Sequence, residues 1–244
     1  MKKVRYKMGK LGKHLFMKKY SRISDLLPDT MAATRSNLNH MLRTYNALYL
    51  KPDEGTGGRG IYKISRTENG FVLRGGTTSR NYATADALYD SLQQLINRDK
   101  YIVQQGIEML KHNGRSFDIR VMVQKNRSGQ LVTTGIIGRL GRANKIVTNY
   151  HSGGTPLPIS KLLQSHLSGA DLANYIRKIE TLGREASSIL AISYTNKRAF
   201  GVDIAIDTKM KPWILEINTG PDMSIFNALK DKTMYKRILR YAKF

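Results

Sequence analysis

Cysteine is absent from the sequence. That excludes a disulfide framework and any thiolate metal site, and it fits a reducing compartment. No apolar run approaches the roughly 20 residues needed to span a bilayer. The basic N-terminus lacks the apolar stretch of a secretory signal, so the expected location is cytoplasmic. No internal repeat, low-complexity segment or evident linker interrupts the chain. Acids are scarce: 18 Asp and Glu stand against 41 Lys and Arg, a net charge of +23 over 244 residues. The excess is concentrated at the ends. Residues 1–20 carry no acid, and Lys230, Lys232, Lys236, Arg237, Arg240 and Lys243 face only Asp231 near the C-terminus. Such a field attracts polyanions, or a partner protein of opposite charge; alternatively it only keeps the chain soluble.

Scarce acids make their grouping informative. Gly201–Asp207 and Trp213–Asn218 read as two strands joined by the four-residue loop Thr208–Lys211. With Asp207 opposite Pro212, the register sets Asp203 opposite Glu216, and Asn218 shares the face of Glu216. Directly opposed carboxylates repel. Two carboxylates and an amide oxygen are most useful around a hard cation, and oxygen-only ligands suit Mg²⁺, which usually carries phosphates as well. The alternative is a hairpin whose acids face water.

A second motif is Lys51-Pro52-Asp53-Glu54-Gly55-Thr56-Gly57-Gly58-Arg59-Gly60. No Lys-Ser/Thr follows the glycines and no helix opens there, so it is not a P-loop. Glycines nevertheless let backbone N–H groups approach a phosphate, and Lys51 adds a point charge. An ordinary glycine-rich turn explains the same residues. Elsewhere, helices are expected over 31–44, 84–97 and 224–243, with a longer one over 168–192 that is continuous or broken near Gly183. Strands are expected over 47–51, 61–66, 71–74, 101–104, 117–124 and 131–138, and residues 1–30 and 143–158 read as irregular. Mixed elements with several antiparallel hairpins give an α+β class. Asp118 and Arg120 share a strand face, Arg139 ends the next strand, and Gln104-Gln105-Gly106-Ile107 leaves a strand at a glycine.

Taken in order, Leu-Pro-Asp-Thr (27–30), the Lys-Pro glycine loop (51–60), Gln-Gln-Gly-Ile (104–107), Asp-Ile-Arg (118–120), Thr-Asn-Tyr-His-Ser-Gly-Gly (148–154) and Asp203…Glu216-Ile217-Asn218 resemble the ATP-grasp superfamily. The branch is the YheC/YheD-like group, whose members are described as endospore coat-associated. The resemblance implies an ATP-grasp fold of two α+β lobes that clamp ATP. The lobe boundaries it implies are a basic N-terminal segment and helix over 1–45, a small lid lobe over 46–104 and a large lobe with the Mg-ATP site over 105–244. Lys51 then contacts the α/β-phosphates and the loop of Gly55, Thr56, Gly57, Gly58 and Gly60 is the lid. Gln104, Gln105 and Ile107 belong to the adenine segment, with backbone contacts from Gln105 and Ile107. Asp118 meets the ribose, and Arg139 stabilises the transferred γ-phosphate. Asp203, Glu216 and Asn218 hold Mg²⁺. Arg120, Asn149, Gly153 and Gly154 lie where relatives hold the acceptor carboxylate or acyl phosphate. Relatives carry an earlier phosphate lysine, for which Lys10 and Lys13 are both candidates. They also carry a separate N-terminal domain, for which the stretch before Lys51 is too short. Thr219-Gly220-Pro221-Asp222 stands where many relatives read Ser-Pro-Gly.

The implied reaction is an ATP- and Mg²⁺-dependent, ADP-forming carboxylate–amine ligation through an acyl phosphate. Its acceptor would be a small carboxylate, a peptide or an acidic polymer. The other readings are a nucleotide-binding structural protein associated with the spore coat, and an ATP-grasp kinase. No nucleic-acid recognition motif is visible.

Overall fold

The computed structural model describes residues 8–55, 57–143, 145–148, 150 and 153–243. In chain order its elements are α1 (Lys10–Met17), α2 (Ser21–Ser24), β1 (Thr30–Ala32), α3 (Arg35–Thr44), β2 (Ala47–Pro52), β3 (Tyr62–Thr67), β4 (Gly70–Gly75), β5 (Thr78–Tyr82), α4 (Ala85–Arg98), β6 (Tyr101–Gln105), β7 (Lys111–His112), β8 (Arg115–Lys125), β9 (Leu131–Leu140), β10 (Thr155–Leu157), α5 (Ile159–Leu163), α6 (Gly169–Ser193), β11 (Ala199–Ile206), β12 (Pro212–Asn218), a 3-10 turn (Ser224–Ala228) and α7 (Thr233–Ala242). They form two compact units: one from the described residues of 1–19 and 28–106, the other from those of 20–27 and 107–244.

The first unit is a six-stranded antiparallel sheet in the order β1-β6-β2-β3-β4-β5. Two helices cover one face. The Thr34 hydroxyl accepts from Asn37 N at the start of α3, and the Thr84 hydroxyl accepts from Ala87 N at the start of α4, each satisfying an amide the helix leaves open. Leu38, Met41 and Leu42 of α3 and Leu88 and Leu92 of α4 then bury against Leu48, Leu50, Ile64 and Val103. Helical spacing was expected from residue 31, but 30–32 pair with β6 instead. A short edge strand wins there because its carbonyls and amides find partners in the sheet.

Residues 1–30 were expected to be irregular, and α1 is a finding against that for residues 10–17. Its N-terminal amides are satisfied from far along the chain: Lys10 N donates to Asp53 O at 3.0 Å and Leu11 N to the Asp53 carboxylate at 2.7 Å. The preceding Gly9 leaves room for this cap, since a Cβ there would lie 2.1 Å from the Asp53 carboxylate. A cap supplied across more than forty positions leaves no local signature.

The second unit is a sheet in the order β10-β9-β8-β11-β12, with β7 paired to β8. One face carries α6, which is continuous through Gly183. The glycine marks close packing rather than a break: a Cβ there would sit 2.6 and 2.9 Å from atoms of Val121 on β8. Gly183→Val is therefore expected to destabilise the protein by about 1–3 kcal/mol through overpacking, read as a lower urea midpoint with an unchanged slope. On the other face Met122 and Ile137 pack under Ile225, Phe226 and Ile238 from the 3-10 turn and α7. No helix of the described residues is long and apolar enough to cross a membrane.

Candidate active site

The charged residues singled out in the second unit lie on one face of its sheet. Arg120 is two residues from Met122 and opposite Ile137, so it shares their face; Asp118 is two residues further and opposite Arg139. On the next strand Asp203 is opposite Arg120, and beyond it Glu216 is opposite Asp203. Asn218, opposite Gly201, extends the same row. Thus β9, β8, β11 and β12 each contribute to one polar strip, continuous with the apolar patch beneath α7.

The expected Asp203–Glu216 pairing is present, although the turn differs from the expected one. Pro212 is opposite Ile206, not Asp207, and a bulge next to Asp203 absorbs Leu215 and restores the pair. Asp207 is the turn's own anchor. Its carboxylate accepts from Lys209 N and Lys211 N, both at 2.9 Å, and from the Trp213 indole N–H at 2.9 Å. Met210 takes a positive φ of 63° in this turn. Burial alone would push the Asp207 carboxyl up; the Trp213 and backbone hydrogen bonds outweigh it and hold the group below its usual value. A depressed folded-state pKa stabilises above the unfolded value of 3.8 and loses that contribution as pH falls through the folded one. Asp207→Ala is expected to cost about 1–2 kcal/mol at neutral pH and to flatten stability against pH below 3.8, measured by urea unfolding from pH 2 to 7.

Asp118, Arg120, Arg139 and Asp203 form a buried charge network, exposed by only 2, 8, 4 and 7 %. Arg120 donates to both Asp203 oxygens, with Nη2 to Oδ2 at 3.0 Å. Arg139 donates to both Asp118 oxygens, with Nε to Oδ1 at 2.9 Å, and its Nη2 lies 3.1 Å from Asp203 Oδ2. Two cations and two anions therefore neutralise one another in planar, forked pairs. Burial would push the Asp203 carboxyl up, but Arg120 and Arg139 together hold it below its usual value. Burial likewise opposes the Arg139 charge, and Asp118 and Asp203 more than restore it. Sequence reading placed Asp118 and Arg120 on one strand face and marked Arg139 and Asp203 on other strands; the ion pairs among them are a finding of the structure.

Glu216 and Asn218 are half-buried beside this network. Among the described residues no group of three or more His, Asp or Glu side chains gathers to hold a metal. The residues expected from the sequence to hold a cation, Asp203, Glu216 and Asn218, offer two carboxylates and an amide. Their all-oxygen chemistry fits a hard dication. Asp203 fits only when a guanidinium gives up one of its oxygens.

Gly153 takes a positive φ of 89°, and its N–H donates to Tyr150 O at 2.9 Å. It and Gly154 lead directly into β10, where Pro156 is opposite Arg139. Gly153 and Gly154 are thereby brought to the strand that pairs with the one carrying Arg139. Ile107 lies in this unit, half-buried. Thr56 and Asn149 lie outside the described residues.

The first unit holds the remaining groups. Lys51 donates from Nζ to Gln104 Oε1 at 2.6 Å, and Gln104 Nε2 donates to Thr30 Oγ1 at 3.0 Å. Gln104 is thus a buried support for Lys51. Gln105 donates its backbone N–H to Asp29 O at 2.8 Å, so that N–H is not available to adenine. Gly55, Gly57, Gly58 and Gly60 all have positive φ, between 69° and 138°, which an L side chain adopts only under strain. Lys10 reaches this loop: its Nζ donates to Gly55 O at 3.1 Å.

Comparisons with known proteins place the chain in a family and a fold. The profile of YheC/D-like ATP-grasp proteins matches residues 5–244. The endospore coat-associated protein YheD of Bacillus subtilis (strain 168) is 27 % identical over 250 residues, covering 97 % of this chain and 54 % of that one. YheC of the same organism is 20 % identical over 209 residues, covering 84 % and 57 %. The chain spans little more than half the length of these curated relatives. Among solved structures, N5-carboxyaminoimidazole synthase from Aspergillus clavatus, in complex with ADP and an aminoimidazole ribonucleotide, matches with a TM-score of 0.55 at 10 % identity. It covers 96 % of this chain and 50 % of that one. The N5-carboxyaminoimidazole ribonucleotide synthetase of Thermotoga maritima gives a TM-score of 0.50 at 11 % identity, covering 97 % and 48 %. At such identities the likeness is one of fold. The fold is ATP-grasp, and the chain belongs to the YheC/D-like ATP-grasp family.

Proposed function

We propose that the chain is an ADP-forming carboxylate–amine ligase that activates its acid as an acyl phosphate. The observation that carries the proposal is the single polar strip on the second unit's sheet. It places two arginines, two aspartates, Glu216 and Asn218 on one face in cross-strand register. Phosphoryl transfer asks little covalent chemistry of a protein; it asks for alignment and for cations around the transferred group.

In this reading Glu216 and Asn218, joined by Asp203, hold Mg²⁺. The ion neutralises phosphate oxygens when bound. Arg139 stabilises charge on the transferred phosphoryl group, and Asp118 holds the Arg139 fork in place while offering its remaining acceptor capacity to a ribose hydroxyl. Arg120 binds the acceptor carboxylate or the acyl phosphate made from it. Lys51, braced by Gln104, is a phosphate cation, and Lys10 orders the glycine loop. The chemistry balances simply. A carboxylate oxygen attacks the γ-phosphorus and ADP leaves. An amine nitrogen then attacks the acyl carbon, phosphate leaves, and the amine proton passes to solvent.

The test is ADP release measured with pools of carboxylates and amines. Ligation predicts ADP formation that needs both an acid and an amine, with one phosphate released per ADP. ADP formation with a hydroxyl acceptor and no phosphate release means a kinase. No ADP with any pool, in protein that binds ATP, means a nucleotide-binding structural protein.

A further inference from the structure

At the end of the second unit's sheet away from the polar strip, three chain segments meet: the β8–β9 turn, the α6–β11 connection and the last turns of α7. Lys125 N donates to Arg198 O at 2.8 Å, and Lys125 Nζ to Thr195 O at 3.1 Å. Arg198 Nη2 donates to the carbonyls of Lys125 and Asn126 at 3.3 and 3.1 Å. Gln124 Nε2 donates to Ile238 O at 3.2 Å and Arg237 Nη2 to Thr133 O at 2.7 Å, which fixes α7 to the same end. These anchors are neutral carbonyls, so the cations are positioned without losing their charge. No Asp or Glu occurs between Asp118 and Asp171, between Glu185 and Asp203, or after Asp231. The edge thus gathers Lys125, Arg127, Lys197, Arg198, Arg237 and Arg240 from segments that contain no acid.

The same edge exposes aliphatic side chains. Large exposed hydrophobics among the described residues are Leu15, Tyr150, Ile192 and Leu239. Two of them flank this edge: Ile192, 59 % exposed in the last turn of α6, and Leu239, 39 % exposed beside Ile238 on α7. A nucleic acid read through its phosphates has no use for them, and Tyr241 is half-buried rather than offered for stacking. Aliphatic chains amid cations drawn from acid-free segments match the headgroup region of an anionic bilayer, where phosphates meet the cations and acyl chains receive the apolar tips.

We propose that this edge docks the protein peripherally on an anionic lipid surface. Each cation near such a surface strengthens binding about fivefold, so three together amount to about a hundredfold.

The test is co-sedimentation with vesicles of phosphatidylcholine alone or with phosphatidylglycerol at 30 mole per cent as roughly the anionic fraction. Wild type is compared with the triple variant Arg127→Gln/Lys197→Gln/Arg240→Gln. A control triple, Arg80→Gln/Lys178→Gln/Lys209→Gln, has the same net charge. Unchanged thermal melting verifies folding. Binding is expected only to the anionic vesicles, weaker tenfold or more in the edge variant and less than twofold in the control. Ile192→Ser/Leu239→Ser is expected to weaken vesicle binding without changing retention of a short DNA duplex. The proposal is overturned by no binding to anionic vesicles, or by equal losses in the edge and control variants. Tighter binding to the duplex than to vesicles, with the Ser variants unaffected on both, also overturns it and makes the edge a nucleic-acid surface.

Discussion

Glu216→Ala is expected to abolish the Mg²⁺-dependent part of ATP binding while leaving the empty protein about as stable as before. The two outcomes have separate causes. Glu216 stands directly opposite Asp203, and opposed like charges on a ladder are destabilising. Removing one is therefore expected to change unliganded stability by no more than about 1 kcal/mol. Binding is different, because in the proposed function Glu216, directly opposite Asp203, helps Asp203 and Asn218 hold the cation. At ligand concentrations about a hundredfold above Kd, binding stabilises a fold by about 2.7 kcal/mol. For a chain of this size that is roughly 5–10 °C in Tm. Wild type is expected to show such a rise with ATP and Mg²⁺ together and a smaller one with ATP alone; the variant is expected to show only the smaller one. Amine-dependent ADP release is expected to fall by about 10²–10³, the usual cost of losing one charge-stabilising group. A variant that keeps the full Mg²⁺ response would remove Glu216 from the cation site.

Arg139→Leu is expected to be the most destabilising single change considered, at about 3–5 kcal/mol. Arg139 is almost fully buried and is shared by Asp118 and Asp203. Its loss leaves Asp118 charged, 2 % exposed and without its forked partner. Asp203 keeps Arg120. The second substitution Asp118→Leu is then expected to recover most of the loss, since an apolar pair replaces an ion pair at little net cost. The measurement is a double-mutant cycle by denaturant unfolding. A single-variant cost below about 1 kcal/mol would mean that water screens the network and that the pair is not buried in the working protein. The wild-type network also sets an acid limit. Because Asp203 is held below 3.8, its contribution is complete above that pH and is lost as pH falls through the depressed value.

Alternation and turn chemistry carried much of the fold. The cores of α3 and α4, the β3–β4 and β8–β9 hairpins and the length of α6 were legible because each signal lies within a few turns of chain. The short strands β1, β5 and β10 were not legible. They are edge or near-edge strands with little apolar alternation, held by the strand beside them. Helix α1 was hidden because Asp53 caps it from a distant segment. Gly183 looked like a break because a glycine in a helix reads the same whether it ends the helix or admits Val121.

The sequence by itself determined the family motifs, the hairpin that carries Asp203 and Glu216, and the placement of Asn218 on the face of Glu216, while the bulge that sets Asp203 opposite Glu216 was not legible. These lie on adjacent strands of one hairpin, where residue spacing dictates which side chains share a face. The tertiary structure alone decided what those groups touch. Arg120 and Asp203 are 83 positions apart, and they meet because β8 and β11 pair. That pairing follows from burying two apolar strands side by side, a demand that many strand orders satisfy and that no local pattern encodes. The same pairing turned separately noticed acids and bases into one neutral buried network, and it gathered the cations of acid-free segments at the opposite end of the sheet.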